Sequence, residues 1–70
     1  MSYDAELRLS PRLKTILNAH RTGAKDARVS NPCDPSVYGA RPNSMWADYY
    51  RTGFDGLPLP QEITTKGITA

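Results

Sequence analysis

The stretch "SNPCDPSVYGARPNS", residues 30–44, holds three of the chain's six prolines together with one glycine and two asparagines. No long helix and no interior strand can run through it. Each proline lacks an N–H and fixes its own φ, and the residue before it is pushed away from the helical region. Asn, Asp, Ser and Gly in the gaps favour turns. The chain is therefore divided into two short segments that must pack across a connector with little regular structure. Cys33, Val37 and Tyr38 are the connector's larger apolar groups, and they are expected to pin it to the segments on either side.

Upstream, "SPRL" is a helix start, with Ser10 as N-cap and Pro11 at the first helical position. Leu13, Ile16, Leu17, Ala24 and Ala27, with His20, fall in one narrow arc of a helical wheel. The pattern predicts a helix over about 11–28, ended by Val29-Ser30-Asn31-Pro32. Downstream, the spacing predicts a second helix over about 43–55. Trp46, Ala47, Tyr49, Tyr50, Gly53 and Phe54 lie on its apolar face, and Gly56 and Pro58 act as the stop. Residues 1–9 read as an N-terminal arm. Residues 57–70, "LPLPQEITTKGITA", show no period and read as an extended, irregular tail, partly ordered by Leu57, Leu59 and Ile63. The fold class is all-α: a small helix–loop–helix in a single domain of 70 residues.

A chain of this length buries only about 60% of its unfolded surface. Small scaffolds usually add a disulfide, a metal or a partner chain. The single Cys33 cannot form an internal disulfide, and one Cys with one His cannot fill a four-ligand zinc site, so no cofactor is expected. A homodimer that completes a small bundle, or folding against a larger partner, remains. No apolar run approaches the roughly 20 residues that span a bilayer. "MSYDAELRLS" carries Asp4 and Glu6 and lacks the apolar core of a secretory signal, so a cytoplasmic location is expected.

The net charge of +2 is unevenly placed: residues 1–7 carry −2, residues 8–28 carry +5, and residues 29–70 carry −1. On the first helix Lys14, Arg21, Lys25 and Arg28 share one stripe beside the apolar face. Such a row can follow a phosphate backbone. The plainer alternative is a solvated face partly neutralised by Asp48, Asp55 or the N-terminal acids. The aromatics Trp46, Tyr49, Tyr50 and Phe54 could stack on unpaired bases, although aromatics at helical spacing are more often core. Tyr49, at the edge of that face, is the expected exposed member, and Arg41 and Arg51 would add contacts beside the cluster.

The tripeptide Arg-Thr-Gly occurs twice, at Arg21-Thr22-Gly23 and Arg51-Thr52-Gly53. Two readings stand: a pseudo-symmetric helix pair meeting at its glycines, or a duplicated binding element. Catalytic constellations are scarce. There is no Walker loop, no nucleophile elbow and no paired carboxylates in a plausible cleft. Cys33 and His20 would form a nucleophilic pair only if the connector folded back on the first helix. The expected protein is not an enzyme.

Ala19-x-x-x-Gly23, "NPCDP", Tyr38, Arg41, and then Trp46 with Tyr50 in "WADYYRTGFDG" together resemble the ribosome modulation factor family and the small phage and plasmid proteins related to it. The resemblance covers about residues 19–56. It implies a short two-helix protein that binds ribosomal RNA and protein on the small ribosomal subunit and modulates translation. The alternative is a phage or mobile-element protein that binds and inhibits a host protein, with Trp46, Tyr49 and the Leu57–Leu59 segment as anchors.

Overall fold

A computed structural model describes residues 8–68, and among them there are helices but no strand. Helix α1 spans Pro11–Arg28, a single 3-10 turn spans Pro35–Tyr38, α2 spans Met45–Phe54, and α3 spans Gln61–Thr64. The all-α helix–loop–helix read from the sequence is the architecture observed.

Both long helices start on a serine. The Ser10 Oγ accepts from the Leu13 N–H at 3.3 Å, and Pro11 follows at the first position. The Ser44 Oγ accepts from the Ala47 N–H at 3.1 Å. Each cap satisfies one of the N–H groups that a helix start leaves without a partner. Both helices also end alike. After α2, the Gly56 N–H reaches the Gly53 carbonyl, the Leu57 N–H reaches the Thr52 carbonyl, and Gly56 sits at φ +78°. After α1, Ser30 takes the left-handed role at φ 61°, with Ser30 N–H on Ala27 and Asn31 N–H on Asp26. These are paired Schellman closures. Within the expected stop Val29-Ser30-Asn31-Pro32, the chain turns at Ser30.

The helices cross at the two glycines of the repeated tripeptide. A β-carbon on Gly23 would run into the Tyr50 carbonyl oxygen and lie 2.8 Å from the Phe54 nitrogen. A β-carbon on Gly53 would run into the His20 carbonyl oxygen. Each glycine therefore meets the residue three places before the other glycine, so the contact is reciprocal. The threonines repeat the symmetry: Thr22 Oγ1 donates to the Asn18 carbonyl at 2.7 Å, and Thr52 Oγ1 to the Asp48 carbonyl at 2.9 Å. Of the two readings of Arg-Thr-Gly, the helix pair meeting at its glycines is the one present.

The apolar cluster lies at the start of α1. Leu9, Leu13, Ile16 and Leu17 pack with Leu59, Ile63 and Ile68. The last three come from the segment expected to be an extended tail. That segment instead folds back, turns once as α3, and buries Ile63 and Ile68 almost completely. A one-turn helix preceded by two prolines has no room to display a period, which is why the pattern was silent. Leu57, expected to help order the tail, is exposed at 54%. The layer that covers the start of α1 thus comes from the chain itself. At the other end of α1 the expected core position Ala27 is exposed and Ala24 is half-buried, while Ala19, Gly23 and Asp26 are buried. The buried face is broader than the apolar arc because a glycine contact and a carboxylate extend it.

Candidate nucleic-acid interface

The connector is held in place by a buried carboxylate. Asp26, in the last turns of α1, is 4% exposed. Its Oδ2 accepts the Tyr38 hydroxyl at 2.7 Å and the Tyr50 hydroxyl, and its Oδ1 accepts the Asn31 side-chain amide at 3.2 Å. Asn31, Tyr38 and Tyr50 come from the α1 exit, the 3-10 turn and α2, so one side chain ties three elements together. The hydrogen bonds from Tyr38 and then Tyr50 hold the Asp26 carboxyl below the usual carboxylate range, against the opposing effect of burial. The Tyr38 phenol is pushed up, first by its bond to that carboxylate and then by burial. The Tyr50 phenol is pushed up further, first by burial and then by the same carboxylate. Sequence reasoning counted Asp26 only as a charge. The available signal was that it is the lone acid in an otherwise basic stretch of helix.

From this anchor the aromatic rings run in a line. Phe54, Tyr50 and Trp46 stack along α2 at four-residue spacing, with centroids 6.4 and 5.4 Å apart. Tyr38 closes the line from the connector, 5.4 Å from Trp46 and 5.6 Å from Tyr50. Beside Tyr38 and Trp46 an open cleft of about 370 Å³ is lined by Gly39, Ala40, Arg41 and Ser44 as well. Its floor is well tied. The Arg41 carbonyl accepts both the Ser44 N–H at 3.0 Å and the Ser44 hydroxyl at 2.8 Å. The neighbouring Pro42 carbonyl accepts from the Arg51 guanidinium at 3.1 Å.

Of the residues expected to bind RNA or a partner, Lys14, Lys25, Arg28 and Arg41 are exposed and Arg21 is half-buried. Lys14, Arg21, Lys25 and Arg28, four of the five cations on α1, keep their shared stripe because the helix is continuous, and they extend over roughly 21 Å of it at 1.5 Å per residue. The single acid on that helix, Asp26, is turned into the connector contacts. Lys25 and Arg28 lie in the last turn, where they also suit the negative end of the helix dipole. Arg51 is engaged within the fold: besides Pro42, its guanidinium pairs with Asp48 at 2.7 Å. Tyr49 needs correction. It is half-buried against the apolar cluster rather than exposed, because the folded-back C-terminal segment enlarges that cluster. Tyr38, at 48% exposure, is the more open ring.

His20 is buried. Its Nε2 lies 2.6 Å from the Leu57 carbonyl, which can only accept, so the proton belongs on Nε2. Its Nδ1 is buried without a hydrogen-bond partner. Cys33, expected to pin the connector, is exposed, as is Val37 at 69%. Among the described residues no group of three or more His, Cys, Asp or Glu could hold a metal ion, and no helix is long and apolar enough to cross a membrane. No protein-family model, curated protein or solved structure matches the chain.

Proposed function

We propose that this chain is a non-enzymatic, cytoplasmic RNA-binding factor that engages ribosomal RNA on the small subunit and modulates translation. The observation that carries the reading is the stripe of Lys14, Arg21, Lys25 and Arg28 on one continuous helix, whose only acid is turned inward. Such a row pairs with successive phosphates and releases their counterions. Arg41, exposed on the connector, adds a cation beside the aromatic cleft. The resemblance to ribosome modulation factor points to the same class of partner.

The test is sedimentation of a tagged full-length chain through a gradient of bacterial lysate, with and without nuclease. The chain is expected to travel with ribosomal particles, and the triple variant Lys14→Glu, Lys25→Glu, Arg28→Glu is expected to stay at the top. The affinity for ribosomal RNA should fall with salt with a log–log slope of roughly −2 to −4, as for three or four phosphate contacts. Unchanged co-sedimentation of a triple variant with intact helicity would overturn the reading.

A second reading is a phage or mobile-element protein that inhibits a host protein. It draws on the exposed apolar side chains Val29, Val37 and Leu57. Capture of one defined protein that survives both nuclease and high salt, with no ribosomal material, would favour it over the first.

A further inference from the structure

The cleft between the connector and the start of α2 has a chemistry of its own. Its walls are the rings of Tyr38 and Trp46, and the one charged residue lining it is Arg41. Neither ring is free to swing. Tyr38 is fixed at both ends, by its hydroxyl on Asp26 and by its ring against Trp46 and Tyr50. Trp46 lies nearly parallel to Tyr50 beneath it. The Arg41 main chain is held by Ser44, and the next carbonyl by Arg51. A ligand that stacks here loses little freedom on the protein side. The Tyr38 and Trp46 ring centroids are 5.4 Å apart, which leaves no slot for a ring to slide between them, so the ligand must lie against them from the open side.

We propose that this cleft takes one unpaired nucleobase of a single-stranded RNA segment, stacked on Trp46 and Tyr38, with the Arg41 guanidinium on the adjoining phosphate. The proposal rests on the RNA-binding reading and goes beyond it by assigning single-stranded recognition to a site separate from the α1 row. An aromatic surface with one cation and no carboxylate among its lining residues suits a flat, electron-rich ring attached to an anion. The α1 row supplies attraction that is blind to base and strand. The cleft supplies the preference for an unstacked base.

Trp46 is the chain's single tryptophan, so its emission reports on the site directly. The full chain is titrated with a labelled oligoadenylate of about eight nucleotides, a length within the range used by single-strand binding sites. The comparison arms are an abasic oligomer with the same number of phosphates and a blunt RNA duplex. Label anisotropy reads binding and Trp46 emission reads stacking. The oligoadenylate is expected to quench Trp46 saturably, while the abasic oligomer and the duplex bind with little quenching. Arg41→Ala, at an exposed position, is expected to weaken oligoadenylate binding about tenfold, as for loss of one charge-assisted contact. Lys25→Glu with Arg28→Glu should weaken binding of all three probes and leave the quench at saturation unchanged. Binding of oligoadenylate without quenching, equal quenching by the abasic oligomer, or an Arg41→Ala variant with unaltered affinity would overturn the cleft while leaving RNA binding in place. Failure of every probe to bind at low salt would overturn both.

Discussion

The two halves of α1 are held by different physics. Its first half packs Leu13, Ile16 and Leu17 against Leu9, Leu59, Ile63 and Ile68, a cluster of aliphatic side chains with the exposed Arg12–Glu62 pair at its edge. Its second half meets α2 backbone to backbone at Gly23 and then offers a carboxylate to two tyrosines and an asparagine. Burial of apolar side chains contributes free energy roughly in proportion to area and tolerates small shifts. Hydrogen bonds to a buried carboxylate tolerate few, because an unmade one is costly. The apolar end therefore stabilises, and the carboxylate end positions. The connector, the aromatic line and the cleft beside Arg41 all depend on the second.

The strongest way to break this division is at the joint between the halves. Gly53→Ala adds a methyl group against the His20 carbonyl, where no side chain can rotate away. It is expected to cost more than about 3 kcal/mol, the upper range for overpacking, although alanine is favoured in helices by about 1 kcal/mol over glycine. Loss of the cooperative thermal transition in circular dichroism would be the sign. A stabilised protein would disprove the close crossing.

Next, Ile63→Ala empties a fully buried position at the apolar end and is expected to cost about 3 kcal/mol. Urea titration reads it. The Trp46 emission spectrum of the native protein should stay the same, since the aromatic end is untouched. An effect below about 0.5 kcal/mol, typical of surface positions, would mean that the C-terminal segment does not belong to the core.

The carboxylate end shows itself through pH. Asp26 is held below its ordinary value in the folded state, so its contribution is fully present above about pH 4, the unfolded carboxylate value, and is lost as pH falls below it. Tyr50 and Tyr38 are raised, so their contribution is fully present below about pH 10 and is lost as pH rises beyond it. Between these limits the contributions of these three groups should be constant. Asp26→Asn should lower the melting temperature at neutral pH and flatten the acid limb, whereas Ile63→Ala should shift the whole curve down without changing its shape. Identical acid limbs in the wild type and Asp26→Asn would remove the carboxylate from its proposed role.

The smallest change sharpens the picture rather than breaking it. Ser30→Gly relieves a non-glycine residue at positive φ and is expected to stabilise by about 1 kcal/mol. That corresponds to a rise of about 4–8 °C in melting temperature for a domain of this size.

What the sequence revealed follows the range of the interactions. Helix α1 was legible to the residue because Ser10-Pro11 and the period of Leu13, Ile16 and Leu17 are local signals. The α2 bounds came within two residues for the same reason. The C-terminal segment was not legible, because Leu59, Ile63 and Ile68 acquire meaning only against Leu9 and Leu13, some fifty positions away. In the candidate site, the α1 cations needed only a helical wheel. The cleft needed Asp26 to bring Tyr38 to Trp46, a contact set by three separate elements. The bond from Arg51 to Pro42 and the packing of Tyr49 on a cluster that includes the C-terminal segment were not legible either, because those partners lie outside the period of α2.

A joint made of main-chain atoms has no adjustable part. Where Gly23 and Gly53 touch the opposite helix, the crossing is dictated by what is missing from the side chain, and every outward-facing residue can be rewritten without moving it. Shape in such a protein can outlast its spelling: two descendants with almost no letters in common would still close on the same clasp, as long as both kept a hydrogen atom where most residues carry a carbon.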